Sequence, residues 1–335
     1  MKAVRLHEIG GPQRLQLDDV AIPQAGPAEV LVQLRCAALN HRDVYITQGL
    51  YPRIELPVTL GSDGSGVIAA LGDGVAGPQI GNAVVINPML DWGDDPRVWS
   101  SRATILGMPR PGTFAEFVCV PLQNVHPKPG ALSDEEAAAL PLAGLTAYRA
   151  AFTRGRVSAQ DTVLITGVGG GVQTFVLLFC KHVGARVVVT SSRDEKLARA
   201  KALGADEMLN YRTDPEWPKA ARKMGIDIAI DSAGGESLAR AIDIVKPGGR
   251  VVTYGGTTGN ATVRPYSIFW DHLDVLGTSM GSPQDFAAML ALFEGGLRPA
   301  LDRTFELRDV VSAAQRLEDA DQFGKIVLRI PSTSS

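Results

Sequence analysis

Gly167, Gly169, Gly170 and Gly171 crowd into a single turn directly after the apolar, β-branched run Val163-Leu164-Ile165-Thr166, and Val172 to Cys180 then resumes an apolar, helix-compatible pattern. Strand, side-chain-free turn and helix start are the parts that hold a dinucleotide pyrophosphate. Missing Cβ atoms let the backbone approach the phosphates, and the helix N-terminus presents free N–H groups and the positive end of its dipole. The fingerprint is incomplete, because Val172 stands where a third glycine or alanine belongs. A plain strand–helix turn would also contain glycine, so the neighbouring residues must decide between the two readings.

They favour the dinucleotide. Arg186-Val-Val-Val-Thr190 reads as a second buried strand, and the residues at its end select the cofactor. A carboxylate about 20 residues past the glycines would hydrogen-bond the ribose 2′-hydroxyl of NAD. Here the sequence is Ser191-Ser192-Arg193, with Lys196 one helical turn further on. Two hydroxyls and two cations suit a 2′-phosphate, which a carboxylate would repel, so the expected cofactor is NADP(H). Asp194 and Glu195 open the next helix, where they serve its dipole. The competing reading is that Arg193 and Lys196 are solvated helix charges.

The elements that must position these groups repeat as strand, helix, strand. Asp194 to Leu203 reads as a helix ended by Gly204, and Ile226–Ile230 and Arg250–Tyr254 as further short strands beside Gly234-Gly235, Gly248-Gly249 and Gly255-Gly256. This alternation implies a parallel, doubly wound sheet. The turn lies near mid-chain, and 335 residues exceed one ordinary core, so a second domain is expected before it. Residues 1 to about 125 carry closely spaced strands (Val30–Leu34, Gly66–Ala70, Ala83–Ile86, Phe114–Cys119) among Gly and Pro, the pattern of a compact β barrel. His126–Gly130 reads as a connector and Ser133-Asp-Glu-Glu136 as a capping box opening an Ala-rich helix. After a last sheet strand near 274–280 and a helix over Gln284–Glu294, a strand over Gly324–Arg329 could rejoin the first domain. The tail Ser332–Ser335 is expected to fray.

A net charge of −3 gives no reason to expect nucleic acid or an anionic membrane as partner. No apolar run approaches about 20 residues, and the N-terminal MKAVRLHEIG lacks a signal-peptide core, so a cytoplasmic enzyme is expected. Cys36, Cys119 and Cys180 are far apart in apolar stretches and read as buried, inert thiols. The five histidines show no ligand spacing.

Over nearly its full length the chain resembles the medium-chain dehydrogenase/reductase superfamily, nearest its zinc-independent quinone oxidoreductase branch. The resemblance is carried by Asn40-His-Arg-Asp43, Gly49-Leu-Tyr-Pro52, Gly61-Ser-Asp-Gly-Ser-Gly-Val67, Leu140–Tyr148, the glycine turn, Lys246–Arg250 and Gly324–Val327. It implies an α/β protein with a discontinuous GroES-like β-barrel domain over 1–126 and 283–335. A Rossmann domain over 127–282 would bind NADP(H), and a homodimer or homotetramer would be the assembly. In zinc alcohol dehydrogenases of the family, the positions of Asn40, Ser62 and Leu142 hold metal ligands. An amide, a hydroxyl and an alkyl group cannot replace thiolate and imidazole, so no metal is expected.

The resemblance further places Asn40, Tyr45 and Tyr51 at the acceptor site, Asn40 as a hydrogen bonder and the tyrosines as shaping or donating groups. Either tyrosine could equally be packing or a turn residue, and Asn40 could bond local backbone. On the cofactor it places Thr146 near the nicotinamide, Gly170, Gly171 and Val172 at the pyrophosphate, and Ser191, Ser192, Arg193, Lys196 and Tyr211 at the adenosine phosphate. Gly255 and Thr257 follow a strand at its carboxyl end, where cofactors sit in such sheets, and Lys325 matches a cationic or backbone contact near the cofactor. Gln173 departs from the usual Gly or Ala. The segment 87–111, with Trp92, Trp99 and Met108, would cap the site, face another subunit, or simply anchor its own loop.

Without a Lewis acid the expected chemistry is hydride transfer from NADPH to a quinone or an α,β-unsaturated carbonyl. An alcohol dehydrogenase-type oxidoreductase with a degenerate metal site is the alternative, and a non-catalytic NADPH-binding sensor or structural protein is the alternative of another class.

Overall fold

The computed structural model describes residues 1–331, so the tail 332–335 lies outside the described residues. The chain divides into two compact units, Met1–Ala143 with Ser282–Ser335, and Gly144–Gly281.

In the second unit the β-branched runs form six parallel strands. Across the sheet they lie in the order Glu207–Asn210, Arg186–Ser191, Thr162–Ile165, Ile228–Asp231, Arg250–Thr253, Asp274–Gly277. In chain order this is 3-2-1-4-5-6, and the direction of winding reverses between Thr162–Ile165 and Ile228–Asp231, where such sheets open a ligand crevice at the strands' carboxyl ends. Val163, Leu164, Ile165 and Val187 to Val189 are fully buried, as expected for central strands covered on both faces. The helix Gly171–His182 buries Phe175, Val176, Leu177, Phe179 and Cys180. Phe179 packs with Phe175 at 5.9 Å and with Phe152 at 6.0 Å between ring centroids. The edge strand Glu207–Asn210 has no counterpart in the sequence reading. It is four residues long and only Leu209 is buried, so it carries little apolar signal.

In the first unit Glu29–Ala38 is the central strand. It pairs antiparallel with Asp63–Leu71, Phe117–Pro121 and Lys325–Arg329, and Leu301–Glu306 lies parallel outside Lys325–Arg329. Ala83–Ile86 and Val125–Pro127 extend the other side, and a separate three-stranded sheet joins Leu15–Asp19, Lys2–Leu6 and Val58–Thr59. The C-terminal strand is therefore built into the N-terminal sheet. Residues 127–143, which the sequence reading gave to the nucleotide domain, belong here instead. Ser133 and Glu136 form the expected capping box, but the helix Asp134–Ala139 lays Ala138 and Ala139 on Cys36, Ala38 and Val327. Small side chains on both surfaces allow that close approach.

Cys36 and Cys180 are buried and Cys119 is half-buried. Burial pushes the three thiols up to about 12, about 12 and about 11 respectively, which keeps them protonated and unreactive near neutrality. In the segment 87–111, Trp92 and Met108 are buried and Trp99 is exposed. Trp92 Nε1 donates to Asp95 O at 2.9 Å, so this ring anchors its own loop.

One glycine shows how tightly the β unit is packed. A Cβ on Gly66 would lie 2.0 Å from the carbonyl oxygen of Gln33 on the neighbouring strand, whereas a Cβ on Gly130 would meet nothing within 4 Å. Gly66→Ala is expected to destabilise the protein by roughly 2 kcal/mol or more, because backbone must move. Gly130→Ala should stay within about 0.5 kcal/mol. Denaturant melts of the two variants check the contrast, and equal midpoints would contradict it.

Candidate active site

The glycine turn is built to leave room. Gly167 and Gly169 have φ of +65° and +134°, and a Cβ on Gly167 would meet nothing within 4 Å, so a cradle stands open beside the backbone. Gly167 N donates to Thr190 Oγ1 at 3.0 Å and Val168 N to Thr190 O at 2.7 Å, which fastens the turn to the second strand. Gly170 precedes the helix Gly171–His182, whose first N–H groups have no intrahelical acceptor. Gly170, Gly171 and Val172 therefore sit where a pyrophosphate would be cradled. On the other side of the crevice Asp231 is fully buried and accepts from Thr166 Oγ1 at 2.7 Å, Gly234 N at 2.8 Å and Ser237 Oγ at 2.5 Å. Gln173 Nε2 donates to Ser232 Oγ, so this departure from the family pattern spans from the helix start to the loop after the fourth strand.

Further out, Ser191 ends the second strand. Its hydroxyl is buried and accepts from Arg193 N at 3.2 Å, so it shapes the turn that carries Ser192 and Arg193. Ser192 is half-buried and Arg193 exposed. Lys196 bends back over the glycines: its Nζ lies 3.2 Å from where a Cβ on Gly169 would be. Tyr211, 46 % exposed, joins this group through Tyr211 N donating to Ser191 O at 3.1 Å. Gly255 and Thr257 are exposed in the loop after Arg250–Thr253, and a Cβ on Gly255 would meet Ser232 O at 2.3 Å, so that loop packs against the one carrying Ser232. Thr146 is buried on the helix Pro141–Tyr148. A dinucleotide fits this unit: an open cradle, a helix N-terminus, two nearby cations and no carboxylate at the end of the second strand.

In the β unit Asn40, Asp63 and Lys325 form one buried network. Lys325 Nζ donates to Leu39 O and Asn40 Oδ1 at 2.7 Å each and to Asp63 Oδ2 at 2.9 Å. Asn40 Nδ2 donates to the same Asp63 Oδ2 at 2.9 Å, and Leu142 N donates to Asp63 Oδ1 at 2.8 Å. An ammonium has three N–H donors, and all of Lys325's are used here. The side chain is 2 % exposed with no donor left for a phosphate, so a cofactor contact of Lys325 would run through its backbone. Arg42, to which the sequence reading assigned no role, is also buried. Its Nη1 donates to Ser62 Oγ at 2.7 Å and Leu106 O at 3.0 Å, and its guanidinium lies 4.9 Å from the Tyr51 ring centroid. Tyr51 is therefore tied to Arg42 rather than simply filling a turn. Tyr45 is half-buried on the helix His41–Thr47, and burial raises its hydroxyl above the ordinary tyrosine range. A zinc ion does not fit this donor set. Asn40 and Asp63 already hold an ammonium, Ser62 holds a guanidinium, and Leu142 offers only backbone. Among the described residues no group of three or more His, Cys, Asp or Glu is arranged to hold a metal.

Asp43 closes the network from below. Its Oδ2 accepts from Asn40 N at 2.8 Å, Oδ1 is buried without a partner, and burial pushes its carboxyl up to about 6 despite the nearby Arg42. A raised folded-state value stabilises most below the unfolded value and is lost as pH rises through the folded one. Compared with Asp43→Asn, the native chain should lose on the order of 2–3 kcal/mol of stability between about pH 4 and 6. Chemical denaturation at several pH values measures this, and parallel curves would refute it.

Comparison with known proteins accords with this geometry. Residues 26–130 match the alcohol dehydrogenase GroES-like domain and residues 171–295 the zinc-binding dehydrogenase domain. The chain is 37% identical to the zinc-type alcohol dehydrogenase-like protein YogA of Leptosphaeria maculans over 94% of each chain. It is 28% identical to a quinone oxidoreductase of Rattus norvegicus, covering 98% of this chain and 97% of that protein. A crystal structure of an NAD-dependent alcohol dehydrogenase is 39% identical with a TM-score of 0.93, covering 99% of this chain and 100% of that one. A GroES-like β unit joined to a parallel 3-2-1-4-5-6 nucleotide unit, with these matches along nearly all of its length, makes the chain an oxidoreductase of the medium-chain dehydrogenase/reductase superfamily.

Proposed function

We propose that the protein is an NADPH-dependent reductase of quinones or α,β-unsaturated carbonyl compounds that works without zinc. The observation that carries this reading is the buried network in which Asn40, at one of the positions that the resemblance gives to a zinc ligand, is held between Asp63 and Lys325. The nicotinamide, when bound, supplies hydride from C4. The nucleotide unit holds the dinucleotide at Gly170, Gly171 and Val172, with Thr146 next to the nicotinamide and Gly255 and Thr257 lining the cofactor at a strand's carboxyl end. Ser192, Arg193 and Lys196 take the 2′-phosphate, Ser191 sets their turn, and Tyr211 covers the adenosine. In the β unit Asn40 donates to the acceptor oxygen, with Tyr45 and Tyr51 shaping the acceptor site. Such a donor stabilises the oxyanion that forms as hydride arrives, and a quinone or enone needs no further activation.

The cofactor half of this reading rests on the missing carboxylate at Ser191 and on Lys196 lying over Gly169. Names of relatives point both ways, since one similar structure is of an NAD-dependent alcohol dehydrogenase. With purified protein, NADPH is expected to be consumed with a simple 1,4-benzoquinone or an enone at kcat/KM at least about tenfold above NADH. Ser191→Asp should cut the NADPH value roughly 10- to 100-fold by repelling the 2′-phosphate. Preference for NADH would overturn the phosphate assignment. Stoichiometric zinc with alcohol oxidation would replace the reductase by an alcohol dehydrogenase.

We also propose a homodimer or homotetramer assembled through the nucleotide unit. Asp274–Gly277 ends the sheet, and among the described residues its outer edge is unpaired. Nearby in sequence, the helix Pro265–Trp270 exposes Tyr266, Phe269 and Trp270 at 55%, 61% and 63%. An unpaired edge and three exposed aromatics are features that a second copy would cover. Light scattering should give a dimer or tetramer for the native chain and a smaller species for Phe269→Asp/Trp270→Asp. A monomeric native chain would refute the assignment.

A further inference from the structure

We infer that Lys325 is a positioning residue that acts through Asn40, its fixed ammonium orienting and polarising the amide that faces the acceptor. The inference rests on the reading that Asn40 faces the acceptor oxygen.

A lysine is seldom buried, and a single carboxylate would be enough to neutralise it. Here Lys325 and Asp63, 2 % and 0 % exposed, also grip the two ends of one amide. The ammonium donates to Asn40 Oδ1 at 2.7 Å, and Asp63 Oδ2 accepts from Asn40 Nδ2 at 2.9 Å. Chemistry fixes which end is which, because an ammonium can only donate and a carboxylate can only accept. A cation at the amide oxygen and an anion at the amide nitrogen both favour the charge-separated resonance form. Hydrogen bonds that polarise one another in a low-dielectric interior are strengthened. The amide nitrogen carries two protons and Asp63 takes one, which fixes the direction of the other, while the ammonium at Oδ1 makes that other proton a stronger donor. Leu39 O at 2.7 Å and Leu142 N at 2.8 Å hold the charged pair in place from either side. Lys325 thus needs no contact with substrate to affect the reacting oxygen.

The test must separate polarisation from simple charge balance. Lys325→Met alone would strand Asp63 as a buried unpaired charge and destabilise the fold. Asp63→Asn/Lys325→Met removes both charges and leaves an amide oxygen to accept from Asn40. With NADPH and 1,4-benzoquinone this pair is expected to recover most of the melting temperature while kcat stays about tenfold or more below the native value. That loss is a fraction of what removing a whole oxyanion donor costs. KM for NADPH should be unchanged. Asp63→Asn/Lys325→Gln, which keeps a neutral donor to Asn40, should show the same low kcat and serves if the first pair does not fold. Asn40→Ala should lower kcat at least as far, and combining it with the pair should add little. Native kcat in either folded neutral pair would overturn the inference and make Lys325 purely structural. Native kcat in Asn40→Ala would instead overturn the reading of Asn40 on which it rests.

Discussion

Burying the ammonium of Lys325 is the constraint around which the β unit is arranged. A charge removed from water costs several kcal/mol unless every donor finds an acceptor and an opposite charge stands close by. The chain meets that demand with groups far apart in sequence: Leu39 O and Asn40 Oδ1 just past the central strand, and Asp63 at the head of the next. The same contacts seat the last strand, because Leu39 N donates to Ile326 O at 3.0 Å and Val327 pairs with Ala38. Asp63 in turn accepts from Leu142 N at 2.8 Å, and its backbone oxygen accepts from Thr113 Oγ1 at 2.7 Å. The polar centre and the closure of the sheet by the chain's C-terminal segment are one interaction.

The nucleotide unit solves a related problem without a buried cation. Its glycine turn must stay open although it lies between strands packed with valine and isoleucine. Thr190 holds the turn from one side through Gly167 and Val168. From the other side Asp231 gathers Thr166, Gly234 and Ser237 around a carboxylate with no solvent exposure. Asp231 thus satisfies three donors at once. Both loops at the winding reversal are therefore pinned before any ligand arrives, so little ordering entropy remains to be lost on binding.

How far the sequence could be read depended on the range of each interaction. The central strands of the nucleotide unit, its glycine turn and the helix Asp194–Ala202 were visible because their signals are local: β-branched runs, missing side chains and terminal glycines. Glu207–Asn210 was not, being a short, mostly polar edge strand. The capping box Ser133–Glu136 announced a helix, but nothing local says which unit's surface Ala138 and Ala139 will cover. The buried bonding of Lys325 was the least legible feature. A lysine near a C-terminal strand reads equally well as a phosphate contact or as half of a buried pair, and its partner Asp63 lies 262 positions away. The roles of Arg42 and Ser62 were hidden in the same way, because their contacts with each other and with Leu106 O depend on tertiary folding.

Exchanging a metal for fixed hydrogen-bonding charges alters which reactions such a centre can serve. Zinc bonds directly to a hydroxyl oxygen and lowers its pKa, which prepares an alcohol to lose hydride. An amide donor backed by an ammonium cannot do that, because it stabilises negative charge only once that charge has formed. In the reduction of a quinone or enone the charge forms on oxygen as hydride adds at carbon. Under the proposed reading, Asn40 meets that oxygen when stabilisation lowers the barrier most, with no bound water to displace from a metal. Relatives named for alcohol dehydrogenation and for quinone reduction share this scaffold. Under the same reading, an amide, a hydroxyl and an alkyl side chain stand at the positions that the resemblance gives to metal ligands, with the cations of Lys325 and Arg42 buried beside Asn40 and Ser62.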